Sequence, residues 1–157
     1  RFINKDGSKD VLPISYCQNN GYRQWRLKGF VKNNVIYGAE LIKLADNILI
    51  VEGEKTCNAA RKLIKRFGMD MVVISWKGGS NNAAKVDWGI LADKNVIIWP
   101  DNDEAGVMAA NDISSNAKYR SLTIIDTQAL DLPEKWDLAD EAPAHVNVKM
   151  EIEKCLN

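Results

Sequence analysis

The feature that most constrains this chain is a series of short, unbroken apolar runs: ILIV (48–51), MVVIS (71–75), NVIIW (95–99) and SLTIID (121–126). A strand with one wet face alternates apolar and polar residues; an unbroken run signals a strand covered on both faces. The first spacer, EKTCNAARKLIKRF (54–67), repeats its apolar residues Cys57, Ala60, Leu63, Ile64 and Phe67 at steps of three and four, which predicts a helix that Gly68 ends. The second, WKGGSNNAAKVDW (76–88), is a Gly- and Asn-rich loop, with a short turn or helix expected near 88–92. After the third run, PDNDEAG (100–106) leads into a helix expected over about 104–118. Strands alternating with helices predict an α/β fold, a four-stranded, mostly parallel sheet flanked by helices. Residues 127–144, with Pro133 and Pro143, read as a polar loop, and 145–156 as a last helix.

Residues 1–45 follow another rule. Loose alternation around the turn signals DG (6–7) and NNG (19–21) predicts a small antiparallel β element, with YRQWRLKGF (22–30) as a strand and a short helix near 38–44. Lys and Arg outnumber Asp and Glu by eight to three in residues 1–45, while the acids lead by eighteen to thirteen in residues 46–157. The expected division is therefore a basic β-rich segment, 1–45, and an acidic body, 46–157, a pattern that fits a polyanion-binding front end or a chance segregation of surface charge. The chain begins at Arg1 rather than Met, as expected of a piece of a longer protein. With one histidine, His145, neither Ser-His-Asp nor Cys-His catalysis is available. Cys17, Cys57 and Cys155 form no C-x-x-C pair, which argues against a zinc ribbon or disulfide framework and fits a reducing cytoplasm. No apolar run is long enough to span a bilayer.

In open α/β sheets ligands gather at the carboxyl ends of the strands. There the first strand ends in Glu52, the third in Asp101 and Asp103, and the fourth in Asp126. Residues i and i+2 of an extended segment point the same way, so Asp101 and Asp103 can face one spot, and Glu52 joins them if the first and third strands are neighbours. Each carboxylate pair about 4 Å apart costs about 4 kcal/mol at an effective dielectric of 20. Three such pairs approach ~10 kcal/mol, comparable to the stability of a whole domain. Protons or a cation must relieve that repulsion. Oxygen ligands without His or Cys suggest Mg²⁺ or Mn²⁺ working on phosphates. The simpler reading of D-x-D is a helix start with Asp103 as N-cap. The tempting G-E-K-T after the first strand is no phosphate loop, because Ile48 stands where its first Gly must be and Glu54 separates Gly53 from Lys55.

Five pieces in order, VEGEKTCNAA (51–60), SWKGGSNNA (75–83), DWGIL (87–91), VIIWPDNDEAG (96–106) and KWDLAD (135–140), resemble the Toprim domain, most closely that of primase-like proteins of phages, plasmids and mobile elements. The resemblance spans about residues 46–142. More loosely, residues 12–44 resemble the segment before Toprim in such proteins, which ends in a Tyr-Gly like Tyr37-Gly38. It implies a Rossmann-like Toprim fold, with Glu52 as a general acid/base or metal-organising group and Asp101 and Asp103 as the metal pair. Gly53 and Gly106 match the glycines that keep the site open. Asp137 or Asp140 matches a further acid that primases carry, although WDLAD departs from their consecutive acids; Asp137 also reads as a helix N-cap.

Lys77, Gly78 and Gly79 follow the second strand at the same sheet edge and read either as a phosphate-holding loop or as a simple turn. Lys55 reads as a phosphate ligand or as the partner of a nearby acid. Arg61, Lys62, Lys65 and Arg66 form a basic helix surface. Arg23, Trp25, Arg26 and Lys28 interleave cations with an aromatic, as single-strand binders do, though a Trp in a small β element also reads as core. The function implied by the resemblance is primer synthesis by a DNA primase-like nucleotidyltransferase, on a single-stranded DNA template from nucleoside triphosphates, with a fused or associated helicase. The alternatives are a metal-dependent Toprim nuclease and a non-catalytic module that binds DNA or nucleotide.

Overall fold

The structure, a computed structural model, describes residues 2–3, 5–7, 9–10, 14–28 and 35–156. Gly29 and Phe30, the end of the expected strand YRQWRLKGF, lie outside them. The chain divides into two compact units, Arg1–Asn33 and Asn34–Asn157.

In the first unit β1 (Phe2–Ile3) pairs antiparallel with β2 (Lys9–Asp10), and β3 (Ile14–Asn19) with β4 (Tyr22–Leu27). Asn20 and Gly21 join the longer pair, both at positive φ (48° and 82°), as the tightest hairpin turn requires. The register sets Ile14 opposite Leu27 and Tyr16 opposite Trp25. Those four side chains share one face and all are exposed, the two rings tilted against each other at 5.1 Å.

The second unit holds one sheet in the order β5-β7-β6-β8-β9: β5 (Ile36–Tyr37), β6 (Asn47–Val51), β7 (Val72–Trp76), β8 (Asn95–Trp99) and β9 (Ser121–Ile124). Four strands run parallel; β5 is antiparallel to β7. The sheet therefore has five strands where the sequence predicts four. The fifth is two residues long, too short to carry a period. Its Tyr37 ring lies under the Arg61 guanidinium at 4.8 Å, and Arg61 donates two hydrogen bonds, 3.0 and 3.1 Å, to the Val73 carbonyl. Arg61 thus leaves the basic helix surface and fastens the sheet edge.

Both faces of the sheet are covered, which is why the strand sequences are unbroken. Ile48, Ile50, Ile74, Val96 and Ile98 pack with Ala109, Ala110 and Ile113 of helix α2 (Glu104–Ser115). Leu49, Val51, Val73, Ile97 and Trp99 pack with Cys57, Ala60 and Ile64 of helix α1 (Glu54–Phe67) and with Val148 and Ile152 of helix α3 (Val148–Lys154). Each fully buried Leu or Ile contributes about 1.5–3 kcal/mol, so this double layer dominates the stability of the unit. Gly68 ends α1 at φ 68°, as the sequence predicts. The loop after β7 coils into two short 3-10 turns, Ser80–Lys85 and Trp88–Leu91. At the amino ends of the strands the Asn95 amide donates to Asn47 (3.0 Å), and Lys94 reaches the Ala45 carbonyl (2.8 Å) and Asp46 (3.4 Å).

The connections decide where chemistry can occur. From β6 the chain crosses through α1 to β7 on one side; it then returns past β6 to β8 and continues through α2 to β9 on the other. Helices that depart in opposite directions splay apart and leave a crevice between the carboxyl ends of β6 and β8, the place where open α/β sheets bind ligands.

Candidate functional site

The crevice is where Glu52 and Asp101 emerge. Val51 pairs with Trp99, so Glu52 leaves β6 beside the strand that delivers Asp101 two residues later. Gly53 then turns the chain into α1 at φ 74°, ψ 156°, a conformation open essentially to glycine alone. On the other strand, the Asp103 N–H donates to the Asp101 carbonyl at 2.8 Å and folds the D-N-D segment tightly. Asp103 is the N-cap of α2, its Oδ1 accepting from the Gly106 N–H at 2.7 Å. The capping reading and the site reading are thus compatible, since a carboxylate has a second oxygen. Gly106 is needed by proximity: a Cβ there would lie 2.4 Å from the Asp101 carbonyl oxygen.

The electrostatics reports the convergence. Burial pushes the Asp101 carboxyl up to about 7, and the negative charges of Glu52, Asp137, Asp103 and Asp140 push the same way. Burial also raises Glu52, partly offset by a hydrogen bond from the Ser80 backbone, with Asp103 adding to the rise. Asp126, at the end of the fourth run, instead accepts from the Ala129 N–H (3.0 Å).

Asp137 arrives on the segment after β9. No helix starts at Asp137; it sits in a turn where its backbone N–H donates to Asp140 Oδ2 (3.1 Å) and its own Oδ1 accepts from the Ala139 N–H. Lys55, in the first turn of α1, stands 3.5 Å from Asp137 and 4.0 Å from Asp140. The partner of Lys55 is therefore an acid more than eighty residues away.

The Gly-rich loop reaches the same place. The Trp76 indole donates to the Gly79 carbonyl at 2.9 Å and fixes the turn of Lys77, Gly78 and Gly79. A Cβ on Gly79 would lie 3.7 Å from Glu52 Oε1, so loop and carboxylate are neighbours. Trp76 and Ser80, which order this loop, lie within SWKGGSNNA, one of the pieces that carry the resemblance, which gives neither a role of its own. Arg23 and Arg26 belong to the first unit. β4 places Arg23 on the face of Tyr16 and Trp25, and Arg26 on the opposite one.

The donors fit a hard divalent cation. They are all carboxylates, and one of them, Asp101, is raised to about 7 by burial and then by its negative neighbours. Among the described residues no three stand close enough to enclose an ion by themselves. A hard divalent ion such as Mg²⁺ or Mn²⁺ needs only one or two protein carboxylates and completes its shell with water and substrate phosphates.

A family model described as "Toprim domain" matches residues 47–130, more than half of the chain. The chain belongs to the Toprim family. The fold agrees with solved structures of primases. The primase fragment of the bacteriophage T7 primase-helicase protein superposes with a TM-score of 0.54 at 19% identity, over 88% of this chain and 54% of that one. A second match is a chain in the structure of bacteriophage T7 lagging-strand DNA polymerase interacting with primase domains of two gp4 subunits bound to an RNA/DNA hybrid and dTTP; its TM-score is 0.55 at 21% identity, over 85% of this chain and 64% of that one. This Toprim chain therefore spans between half and two thirds of the chains it superposes on. Comparison with curated proteins finds no match. Among the described residues no helix is long and apolar enough to cross a membrane.

Proposed function

We propose that the chain is the Toprim core of a DNA primase-like nucleotidyltransferase, which joins nucleotides on a single-stranded DNA template with Mg²⁺ or Mn²⁺. The observation that carries this reading is that burial, with the negative charges of Glu52, Asp137, Asp103 and Asp140, raises the Asp101 carboxyl to about 7 at the carboxyl ends of β6 and β8. Toprim domains are in general dependent on divalent metals.

Asp101 and the free oxygen of Asp103 would hold the ion, with Asp137 beside them. When bound, the cation supplies charge neutralisation for the triphosphate and for the pyrophosphate that leaves. The chain's own groups do the rest. Glu52, half-buried and with its carboxyl raised by that burial, would take the proton from an attacking sugar hydroxyl. Lys77 and the backbone amides of Gly78 and Gly79 would orient phosphates. Lys55 stands beside Asp137 and Asp140 (3.5 and 4.0 Å), and a phosphate entering the crevice would compete for its ammonium. Arg23 and Arg26 would hold template on the two faces of the N-terminal hairpin. A fused or associated helicase would deliver that template.

The test is primer synthesis from nucleoside triphosphates on single-stranded DNA with Mg²⁺ or Mn²⁺, using this chain and any longer protein that contains it. Asp101→Ala and Asp103→Ala should each abolish it, and undiminished synthesis in either variant would overturn the assignment. Cleavage of DNA with Mn²⁺ and no nucleotides would point to a Toprim nuclease instead. Metal binding with neither activity would point to a binding module.

A further inference from the structure

We infer that Asn102, the residue between the two aspartates, is the positioning residue that brings Asp137 into the carboxylate cluster. The inference rests on reading that cluster as a metal site. Four hydrogen bonds connect Asn102 to the segment that carries Asp137. Its backbone N–H donates to the Trp136 carbonyl (3.0 Å), and its own carbonyl accepts from the Lys135 N–H (2.9 Å). Its side-chain Nδ2 donates to two successive carbonyls, Leu132 (2.7 Å) and Pro133 (3.0 Å).

The strap ends one residue before Asp137. The Trp136 ring, buried against Trp99 at 6.1 Å, donates its indole N–H to the Glu141 carbonyl (3.0 Å) and closes the turn that contains Asp137 and Asp140. The strapped segment does not hold its shape by local preference: Asp131 and Lys135 both sit at positive φ, 50° and 62°, where non-glycine residues are uncommon. The other polar tie from this turn toward α1 is the Lys55 ion pair, whose ammonium is largely exposed and therefore weak. One residue thus spaces Asp101 from Asp103, exchanges backbone hydrogen bonds with the two residues before Asp137, and through its side chain fastens the start of the same segment at Leu132 and Pro133.

The side-chain chemistry selects asparagine. The two N–H bonds of a single amide nitrogen reach two successive carbonyl oxygens. A carboxylate at this position would face both oxygens with its own, a serine offers one donor, and an alanine none. The backbone exchange with Lys135 and Trp136 survives all three replacements, so they isolate the side chain.

The experiment uses the whole chain with Mn²⁺ as probe, and compares Asn102→Ala, Asn102→Ser, Asp137→Asn and the double variant Asn102→Ala/Asp137→Asn. Asn102→Ala should weaken Mn²⁺ binding by about ten-fold, as loss of an outer-shell support does. Asn102→Ser should fall between it and the native chain. The double variant should bind no worse than Asp137→Asn alone, because the two act through one carboxylate. Melting in chelator should move little, and trypsin should cut after Lys135 faster in Asn102→Ala. Unchanged Mn²⁺ affinity in Asn102→Ala, or a double variant whose loss is the product of the two single losses, would overturn the inference. Unaccelerated cleavage after Lys135 would overturn it too, and this arm needs no metal. Absence of Mn²⁺ binding in the native chain would count against the metal reading, leaving the strap to be judged by the protease.

Discussion

The hairpin β3–β4 and the sheet around β6 use the same kinds of residue to opposite ends. Ile48, Leu49 and Ile50 are fully buried, whereas Ile14, Tyr16, Trp25 and Leu27 are 58–69% exposed. The difference lies in neighbours. β6 has a strand on each side and helices above and below. Among the described residues, β3 and β4 pair only with each other, and an isolated pair of strands is marginal in water. Apolar residues in the sheet therefore mainly stabilise, whereas the apolar face of the hairpin stays exposed among the described residues. Burial, and with it stability, is concentrated in the sheet unit.

The largest expected effect tests the stability side. Ile98→Ala, in the middle of the central strands, should cost about 2–5 kcal/mol, read as the urea midpoint of the sheet unit. Trp25→Ala should leave that midpoint within about 0.5 kcal/mol while weakening single-stranded DNA binding, measured by anisotropy at low salt. A large loss of stability from Trp25→Ala, with DNA binding intact, would collapse the contrast.

Gly106→Ala comes next and sharpens the comparison within the sheet unit. The new methyl group would overlap the Asp101 backbone, so the variant should lose about 1–3 kcal/mol of stability and also metal-dependent activity. The carboxylates give an effect of opposite sign. The folded-state pKa of Asp101 is raised from 3.8 to about 7, so between those values the native chain binds more protons than the unfolded one. Stability contributed by the protonated form is fully present below pH 4 and is lost as pH rises through 7. In chelator the melting temperature should fall over that window, and Asp101→Asn should flatten the fall and melt higher than the native chain at pH 8. Mg²⁺ should recover the loss in the native chain and not in the variant. The smallest effect is the exposed Lys55 pair: Lys55→Met should change stability by less than about 1 kcal/mol.

The sheet was legible because its signal is local and repeated. An unbroken apolar run identifies a doubly covered strand without knowledge of its neighbours, and the three-four spacing of Cys57, Ala60 and Ile64 recovers α1 over its full length. The ends of the later helices were less legible because side chains set them. α2 stops at Ser115 rather than 118, where Ser114 and Ser115 bond back to the Asn111 carbonyl and Asn116 to that of Asp112. α3 starts only at Val148, behind an Asn147 cap that accepts from the Met150 N–H. The neighbouring of Glu52 with Asp101 and Asp103 could be stated in advance as a condition on strand order, which β6–β8 pairing meets. The strap from Asn102 could not, since it joins residues thirty or more apart by single hydrogen bonds that leave no period in the sequence.

The parallel strands also give the sheet unit a working end and a quiet end. Glu52, Asp101 and the Gly-rich loop lie at the carboxyl ends, while the amino ends are closed by Asn47, Asn95 and the Lys94 clasp on Ala45. A dye, an affinity handle or a surface tether placed in the turn at 117–119 would thus sit a full strand length from the carboxylates. The molecule could be held by its quiet end and watched while metal and nucleotide are offered to the other.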